Sequence, residues 1–239
     1  MIKIFRRIRK QLVEKGYLKR YLIYAIGEIL LVVLGILIAL NINNRNQENN
    51  NRISENKIYQ NIKQELNDDF SALNANLTYD QLYKNQYEYA VEVIEAEDIS
   101  QLDSLGVIAI NLLKSSDFHS QSTIYKTIVN SGQIKFLNNH DIIRKLHQLE
   151  ETYIHINQLE SIHLRVVTDF LAPMLVRTVK INTATIKATD KIFNYQFQNN
   201  FVVMINLMEE KEETYIEAIK DINSIIELID IEISTNENQ

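Results

Sequence analysis

The chain has 239 residues, which is enough for one soluble domain beside a membrane segment, and it has only five glycines and one proline. So few turn-forming residues disfavour an all-β fold, and the absence of cysteine excludes disulfides, thiolate metal sites and cysteine nucleophiles. The formal net charge is −6, yet residues 1–20 are basic, whereas residues 41–239 carry seventeen Lys/Arg against twenty-nine Asp/Glu. An acidic main domain argues against binding nucleic acid, whose backbone needs a basic surface.

The first twenty residues form a basic tail with eight Lys/Arg and one Glu. Within it Phe5, Ile8 and Leu12 recur at helical spacing between basic residues, so the tail could lie on an anionic inner leaflet. A topology signal with no separate task is the other interpretation. The candidate membrane-surface residues are Arg6, Arg7, Arg9 and Lys10.

Residues 21–40, YLIYAIGEILLVVLGILIAL, contain a single charge. As a helix that rises about 1.5 Å per residue, they would cross the roughly 30 Å hydrocarbon layer. The apolar region of a cleaved signal peptide is shorter, about 7 to 15 residues, so we interpret this segment as an uncleaved signal anchor. Because basic flanks stay in the cytoplasm, we expect an inner-membrane protein with a cytoplasmic N-terminus and a periplasmic C-terminal domain.

One carboxylate lies inside this predicted span. Glu28 is about eight residues, or roughly 12 Å, from its start, where an ionised carboxylate costs about 2.5 to 3.5 kcal/mol. Three interpretations stay open: a polar contact between helices, a proton or cation site in an oligomeric pore, and a side chain that snorkels to the basic end. The spacing Gly35-xxx-Ala39 permits close helix approach, which predicts a homo-oligomer or a partner transmembrane helix in the lipid bilayer. The predicted interface stripe is Ala25, Glu28, Val32, Gly35 and Ala39.

The Asn-rich residues 41–51 are too polar to be buried, so they form a polar stalk or a continuation of the membrane helix. Residues 52–235 are the predicted periplasmic domain, in which apolar residues return at helical spacing. We expect one long helix over most of residues 52–97.

Two shorter helices should follow, over residues 99–114 with a cap near Ser100 and over residues 122–130 with a stop at Gly132.

The second half of the domain contains two more apolar stripes. Asn139 is a good N-cap for the first, and Pro173 should end or kink that helix. Residues 180–198 lack a helical stripe and are interpreted as a loop that could include a short extended piece. The last helix, residues 199–233, holds a 3-4 repeat that we take to be interrupted only by Glu212. The predicted fold class is all-α: one N-terminal transmembrane helix followed by an extracytoplasmic antiparallel helix bundle, built mainly from residues 52–97, 139–175 and 199–233.

The titratable residues suggest no catalytic machinery. His147, Glu151 and His155 share a helix face, but that face points away from the apolar stripe and is interpreted as solvated. Glu160 and His163 match one Glu-x-x-His step of a di-iron bundle without the second copy such a site needs, so His163 is interpreted as a hydrogen-bonded flank of the core. The sequence also has no nucleophile-elbow, phosphate-loop or His-Glu-x-x-His motif. We therefore expect no enzyme, no cofactor and no metal.

Two stretches carry a family resemblance. Residues 1–44, with the segment Tyr-Ala-Ile-Gly-Glu that ends at Glu28, resemble the opening of an uncharacterised family of flavobacterial (Bacteroidota) single-pass inner-membrane proteins. Residues 124–132 (IYKTIVNSG) and 142–146 (IIRKL) resemble that family's Tyr-x-x-Leu-x-x-Ser-Gly segment and its following helix, with Ile128 and Val129 in place of the usual leucine pattern. The family is a domain of unknown function, so the resemblance implies an inner-membrane location and a helical outer domain but no site residues.

The sequence thus predicts a membrane-anchored, non-enzymatic interaction or sensor-like protein that self-associates through its membrane helix. Which periplasmic ligand or protein it meets is not encoded in a recognisable motif. The alternative is an ion-conducting or gating membrane subunit that uses Glu28.

Overall fold

The computed structural model describes residues 18–118 and 124–237, and the chain divides into two compact units, residues 1–54 and 55–239. The described residues are mostly helical, as predicted. The first helix, α1, covers Leu18–Glu95. It therefore includes the Asn-rich residues 41–51, which are helical.

The described part of the first unit consists of the apolar beginning of α1. One stretch of this helix is long and apolar enough to cross a membrane, judged by length and composition. Tyr24 and Ala25 are partly exposed, and every other side chain from Leu22 to Leu40 is exposed. This surface is unlike that of a soluble core helix, which buries an apolar face.

In the second unit, α1 ends in a turn in which Glu97 has a positive φ of 46°. The predicted cap near Ser100 is displaced by two residues, because the Asp98 carboxylate accepts hydrogen bonds from both the backbone N–H and the hydroxyl of Ser100. A 3₁₀ turn, Ile99–Gln101, then leads into α2, Leu102–Asn111.

Next come α3, Ile124–Asn130, and a 3₁₀ turn, Gln133–Phe136. The stop predicted at Gly132 is confirmed, since this residue has φ 70°, a conformation that glycine adopts without a Cβ clash. The N-cap predicted at Asn139 is also confirmed. Its side chain accepts from the backbone N–H groups of Asp141 and Ile142 at the start of α4, His140–Val166.

Pro173 does not stop the helical path, and the irregularity in that path begins before the proline. A π-helical turn, Val167–Leu171, separates α4 from α5, Ala172–Thr178, and Pro173 lies in the first turn of α5. At that position its missing N–H is tolerated, and a widened turn provides room for the ring, so the helical path continues to Thr178.

The predicted loop contains a short antiparallel pair, β1 Val179–Lys180 and β2 Thr185–Ile186, and two further 3₁₀ turns, Ile181–Thr183 and Thr189–Lys191. Between the strands Ala184 has φ 52°. A Cβ on Gly106 of α2 would lie 1.9 Å from the Ala184 carbonyl oxygen, so only glycine fits there.

The last helix, α6, covers Tyr195–Glu237 and so begins four residues before the predicted start.

The second unit has two apolar clusters, and the three long helices α1, α4 and α6 contribute to both. The Ile222 cluster includes Leu66, Leu73, Leu146, Ile156 and Ile222. The Phe201 cluster includes Tyr87, Leu112, Leu171, Phe201 and Met208.

Candidate functional site

A layer of buried polar side chains separates the two apolar clusters. Along α1, Leu73 belongs to the Ile222 cluster and Tyr83 to the Phe201 cluster, and a buried acid lies between them. The same change of cluster occurs on α6 between Met208 and Tyr215, and on α4 it occurs between Ile156 and Leu159, next to the buried Glu160. We call this set the polar layer; its members, each at most 9% exposed, are Asp80, Ser116, Glu160, His163, Lys211 and Glu212.

Lys211 of α6 is the centre of the polar layer. Its ammonium lies 3.0 Å from a carboxylate oxygen of Asp80 on α1, and neither side chain has any exposed surface. The ammonium also donates to the Ser116 hydroxyl and lies 5.7 Å from the centre of the Tyr215 ring. Because a buried charge without partners is very unfavourable, this lysine depends on Asp80 and on the donors and acceptors around it.

His163 of α4 lies beside this ion pair, with Nδ1 3.5 Å from the Lys211 ammonium. Burial, and secondly the positive charge of Lys211, lower the pKa of His163 to about 4, although a hydrogen bond with the Lys114 backbone opposes the change. The imidazole is therefore neutral at pH 7 and can accept a hydrogen bond at Nδ1. Its complete burial agrees with the interpretation of His163 as part of the core.

Glu160, one turn earlier on α4, connects three parts of the chain. Its Oε1 accepts from the Phe118 backbone N–H at 2.6 Å and from the Tyr215 hydroxyl at 3.0 Å. Burial raises the pKa of Glu160, while these two hydrogen bonds and Lys211 lower it. The carboxylate thus holds the segment before Phe118 against α4 and α6.

Within the part of the chain that the structure describes, no three His, Asp or Glu side chains converge as a metal site would require.

A second ion pair flanks the first one. Lys84 of α1 lies 2.9 Å from Glu212 of α6, and this hydrogen bond is the main cause of the raised pKa of Lys84. The acid and the base are therefore reversed between neighbouring pairs: α1 supplies Asp80 and then Lys84, and α6 supplies Lys211 and then Glu212. A shift of one helix along the other would bring like charges together, so the two pairs specify the register of α1 against α6.

Comparison with known protein families identifies the chain. Residues 28–207 match DUF6090, a family of unknown function, over more than half of the chain. The chain belongs to this family. No curated protein and no solved structure matches it. The DUF6090 match includes four polar-layer residues, Asp80, Ser116, Glu160 and His163, and ends before Lys211.

The interface residues predicted in the apolar start of α1 lie on an open surface in this DUF6090 chain. Ala25 is partly exposed, whereas Glu28, Val32, Gly35 and Ala39 are exposed. Apart from the adjoining backbone of its own helix, no described atom lies within 4 Å of the position that a Cβ on Gly35 would take. The predicted basic residues Arg6, Arg7, Arg9 and Lys10 lie outside the described residues.

The solvated face predicted on α4 is also visible. His147, Glu151 and His155 are exposed, and their ion-pair distances are long: 4.0 Å from His147 to Glu151 and 3.9 Å from His155 to Glu210. The Glu160-x-x-His163 step points into the core instead, but its two side chains bind different partners.

Sequence reasoning missed the two central residues of the polar layer. Lys211 continues the 3-4 spacing of α6 from Met208 to Tyr215, and Asp80 continues that of α1 from Leu77. We interpreted only Glu212 as an interruption of the α6 stripe, yet Lys211 is the fully buried residue. The signal that could have revealed the ion pair is one charge at a core position on each of two helices, with opposite signs.

A serine that contacts a lysine is also the arrangement of a nucleophile and its base in some hydrolases. In this DUF6090 domain Ser116 is 6% exposed and Lys211 is fully buried, so both groups lie inside the protein. The ammonium donates to the hydroxyl and faces Asp80, whereas a general base must accept the hydroxyl proton. The geometry thus favours a role in fixing conformation.

Proposed function

We propose that this DUF6090 chain is a membrane-anchored, non-enzymatic interaction or sensor-like protein with a helical periplasmic domain. The observation that carries the proposal is the apolar start of α1, in which no side chain from Leu22 to Leu40 is buried. A soluble protein would leave this large apolar surface in water, whereas a bilayer covers it. The length of the apolar run supports a retained anchor over a cleaved signal sequence.

Charge supports the orientation that we propose. The eight basic residues before the span would remain in the cytoplasm, and the acidic residues 41–239 would lie in the periplasm of a Gram-negative cell. The resemblance of residues 1–44 to flavobacterial inner-membrane proteins agrees with this placement.

We also propose that the outer domain is an antiparallel bundle in which α1 and α6 run in opposite directions. The side-chain contacts between these helices support it, because residue numbers fall along α6 as they rise along α1. The contacts are Asn56 with Asn236, Lys63 with Asp230, Lys84 with Glu212, and Glu95 with Gln198.

Self-association through the membrane helix is the third part of the proposal. Glu28 needs a polar neighbour inside a bilayer, and the small residues Gly35 and Ala39 on the same stripe allow a second helix to approach closely. A second copy of the chain would supply both, since its own Glu28 stripe is self-complementary.

Topology is tested with a C-terminal reporter that is active only outside the cytoplasm, together with extraction of membranes by alkaline carbonate. We expect an active reporter and a protein that stays with the membrane. An inactive reporter at normal expression would contradict the orientation, and release of the full-length protein by carbonate would contradict the anchor.

Self-association is tested by crosslinking in native membranes. The chain offers a matched pair of glycines, because a Cβ added to either Gly27 or Gly35 would meet no described atom within 4 Å beyond the adjoining backbone of its own helix. Gly35→Leu and Glu28→Leu should each reduce the crosslinked dimer at least about fivefold, whereas Gly27→Leu, off the stripe, should not. Equal crosslinking of all three variants and the wild type would refute the stripe as the interface.

Glu28 also motivates the alternative function, an ion-conducting or gating subunit. A pore that depends on the carboxylate would lose conductance when Glu28→Gln removes the charge. Conductance is measured on protein reconstituted in planar bilayers. Equal conductance of the wild type and of Glu28→Gln would eliminate this alternative.

A further inference from the structure

A non-helical segment crosses the polar layer between α2 and α3. Residues 114–118 have no regular secondary structure, and we call them the strap. Along the strap Ser116 and Phe118 point inward and are 6% and 1% exposed, whereas Lys114, Ser115 and Asp117 are exposed. The strap also joins the two apolar clusters, since Leu112 before it belongs to the Phe201 cluster and Phe118 to the Ile222 cluster.

Side chains of the long helices hold the strap in place. Lys211 donates to the Ser116 hydroxyl, and Glu160 accepts from the Phe118 backbone N–H at 2.6 Å. At its beginning, the Lys114 ammonium donates to the Tyr83 hydroxyl at 3.0 Å. The Phe118 ring packs edge-on against Tyr153 with 5.3 Å between ring centres.

The attachment of the strap differs from that of a helix or a strand. The amide groups of Ser115, Ser116 and Phe118 make no backbone hydrogen bond to the described residues; the Phe118 N–H instead bonds to the Glu160 carboxylate. Segments with few backbone hydrogen bonds open at lower free energy than the elements around them. Breaking the contacts of Ser116 and Phe118 would release the strap beyond Lys114 while α1, α4 and α6 stay packed.

The strap also covers the ion pair. Among the described residues, the hydrogen-bond and ion-pair partners of the Lys211 ammonium are Asp80 on α1, His163 on α4 and Ser116. Ser116 is the one partner that does not lie on a long helix. Its departure would open the lysine to solvent without separating the helices.

We infer that the strap is a releasable cover over the Lys211–Asp80 ion pair, held closed by Ser116 and opening before the domain unfolds. The closed state buries the pair, and the open state exposes two charges whose hydration offsets the loss of the strap contacts. The outer domain thereby has two states that differ in one short segment, which is the kind of bistable element that a ligand or partner can bias. This inference does not depend on how the chain is anchored.

The accessibility of the Lys211 amine tests the strap directly. The full-length protein in detergent micelles is treated with N-hydroxysuccinimidyl acetate, and acetylation of each lysine is followed by mass spectrometry. Lys220, one of the exposed residues of α6, serves as the internal reference in every sample. The test variant is Ser116→Ala, and Ser115→Ala, at the exposed neighbouring serine, is its matched control.

We expect Ser116→Ala to accelerate acetylation of Lys211 relative to Lys220 by about 10- to 100-fold, the factor that corresponds to loss of one hydrogen bond to a charged group. Ser115→Ala should label like the wild type. Hydrogen exchange should show the Phe118 amide opening at the same time, while most of the near-ultraviolet circular dichroism of the buried tyrosines is retained.

Two results would overturn the inference. If Lys211 is acetylated at the same relative rate in Ser116→Ala as in the wild type, Ser116 does not hold a cover. If its acetylation rises only together with loss of the tyrosine signal, the lysine becomes accessible through global unfolding and the strap has no separate open state. Glu160→Gln, which weakens the other attachment of the strap, should reproduce the effect of Ser116→Ala.

Discussion

The buried ion pair gives the sharpest prediction about stability. Lys211→Met keeps the length and apolar stem of the side chain but leaves the Asp80 carboxylate fully buried without its counter-charge. Removal of one member of such a pair destabilises a protein by about 3 to 5 kcal/mol. Because the free energy of unfolding of a domain is typically about 5 to 15 kcal/mol, Lys211→Met should lose a large fraction of that stability and be partly unfolded at 37 °C.

The double variant Asp80→Leu/Lys211→Met removes both charges at once. It should recover most of the loss caused by Lys211→Met, because a buried pair replaced by apolar side chains of similar size is often neutral or stabilising. The expected coupling energy between the two positions is about 2 to 4 kcal/mol. A double-mutant cycle measures it as the departure from additivity.

The exposed pair formed by Lys63 and Asp230 is the internal control. Its ammonium and carboxylate are 2.5 Å apart, but the two side chains are 36% and 52% exposed. Water screens such a pair, so Lys63→Met should change the free energy of unfolding by at most about 1 kcal/mol.

Denaturant unfolding of the full-length protein in micelles, followed by the near-ultraviolet circular dichroism of tyrosine, provides the assay. Tyr59, Tyr87 and Tyr215 are completely buried, so this signal reports the packing of the outer domain. The electrostatic reasoning is refuted if Lys211→Met destabilises no more than Lys63→Met, or if the effects of Asp80→Leu and Lys211→Met simply add.

Three further predictions concern pH, packing and capping. The folded-state pKa of His163, about 4, lies below its usual 6.5, so its contribution to stability is complete above pH 6.5 and decreases as pH falls toward 4. Between pH 7 and pH 5 the free energy of unfolding of the wild type should therefore fall by about 2 kcal/mol more than that of His163→Gln. Equal losses in the two proteins would contradict a buried neutral imidazole. Gly106→Ala should destabilise the domain by about 1 to 3 kcal/mol in thermal melts, because its Cβ would overlap the Ala184 carbonyl; an unchanged melting temperature would show that the β1–β2 turn moves freely. Asn139→Ala should cost about 1 kcal/mol through the lost cap of α4, and Asn139→Ser should restore most of it in the same melts.

Local patterns in the sequence determined much of the fold. The apolar run of residues 21–40, the cap at Asn139 and the left-handed stop at Gly132 each depend on a few neighbouring residues, so they could be predicted without knowing what packs against them. The apolar spacing of α1, α4 and α6 likewise identified the long helices, because each helix must bury a stripe whatever its partner is.

Tertiary contacts decided the rest. Pro173 could be predicted to disturb a helix, but only the structure shows that a π turn precedes it and that Leu171 and Leu175 still pack in the Phe201 cluster. Neither Lys211 nor Asp80 was recognised from the sequence, and only the packing of α6 against α1 places their opposite charges 3.0 Å apart inside the core. A charge is tolerated in a protein interior when its partner arrives from another element, and that meeting depends on the register of whole helices rather than on any local pattern.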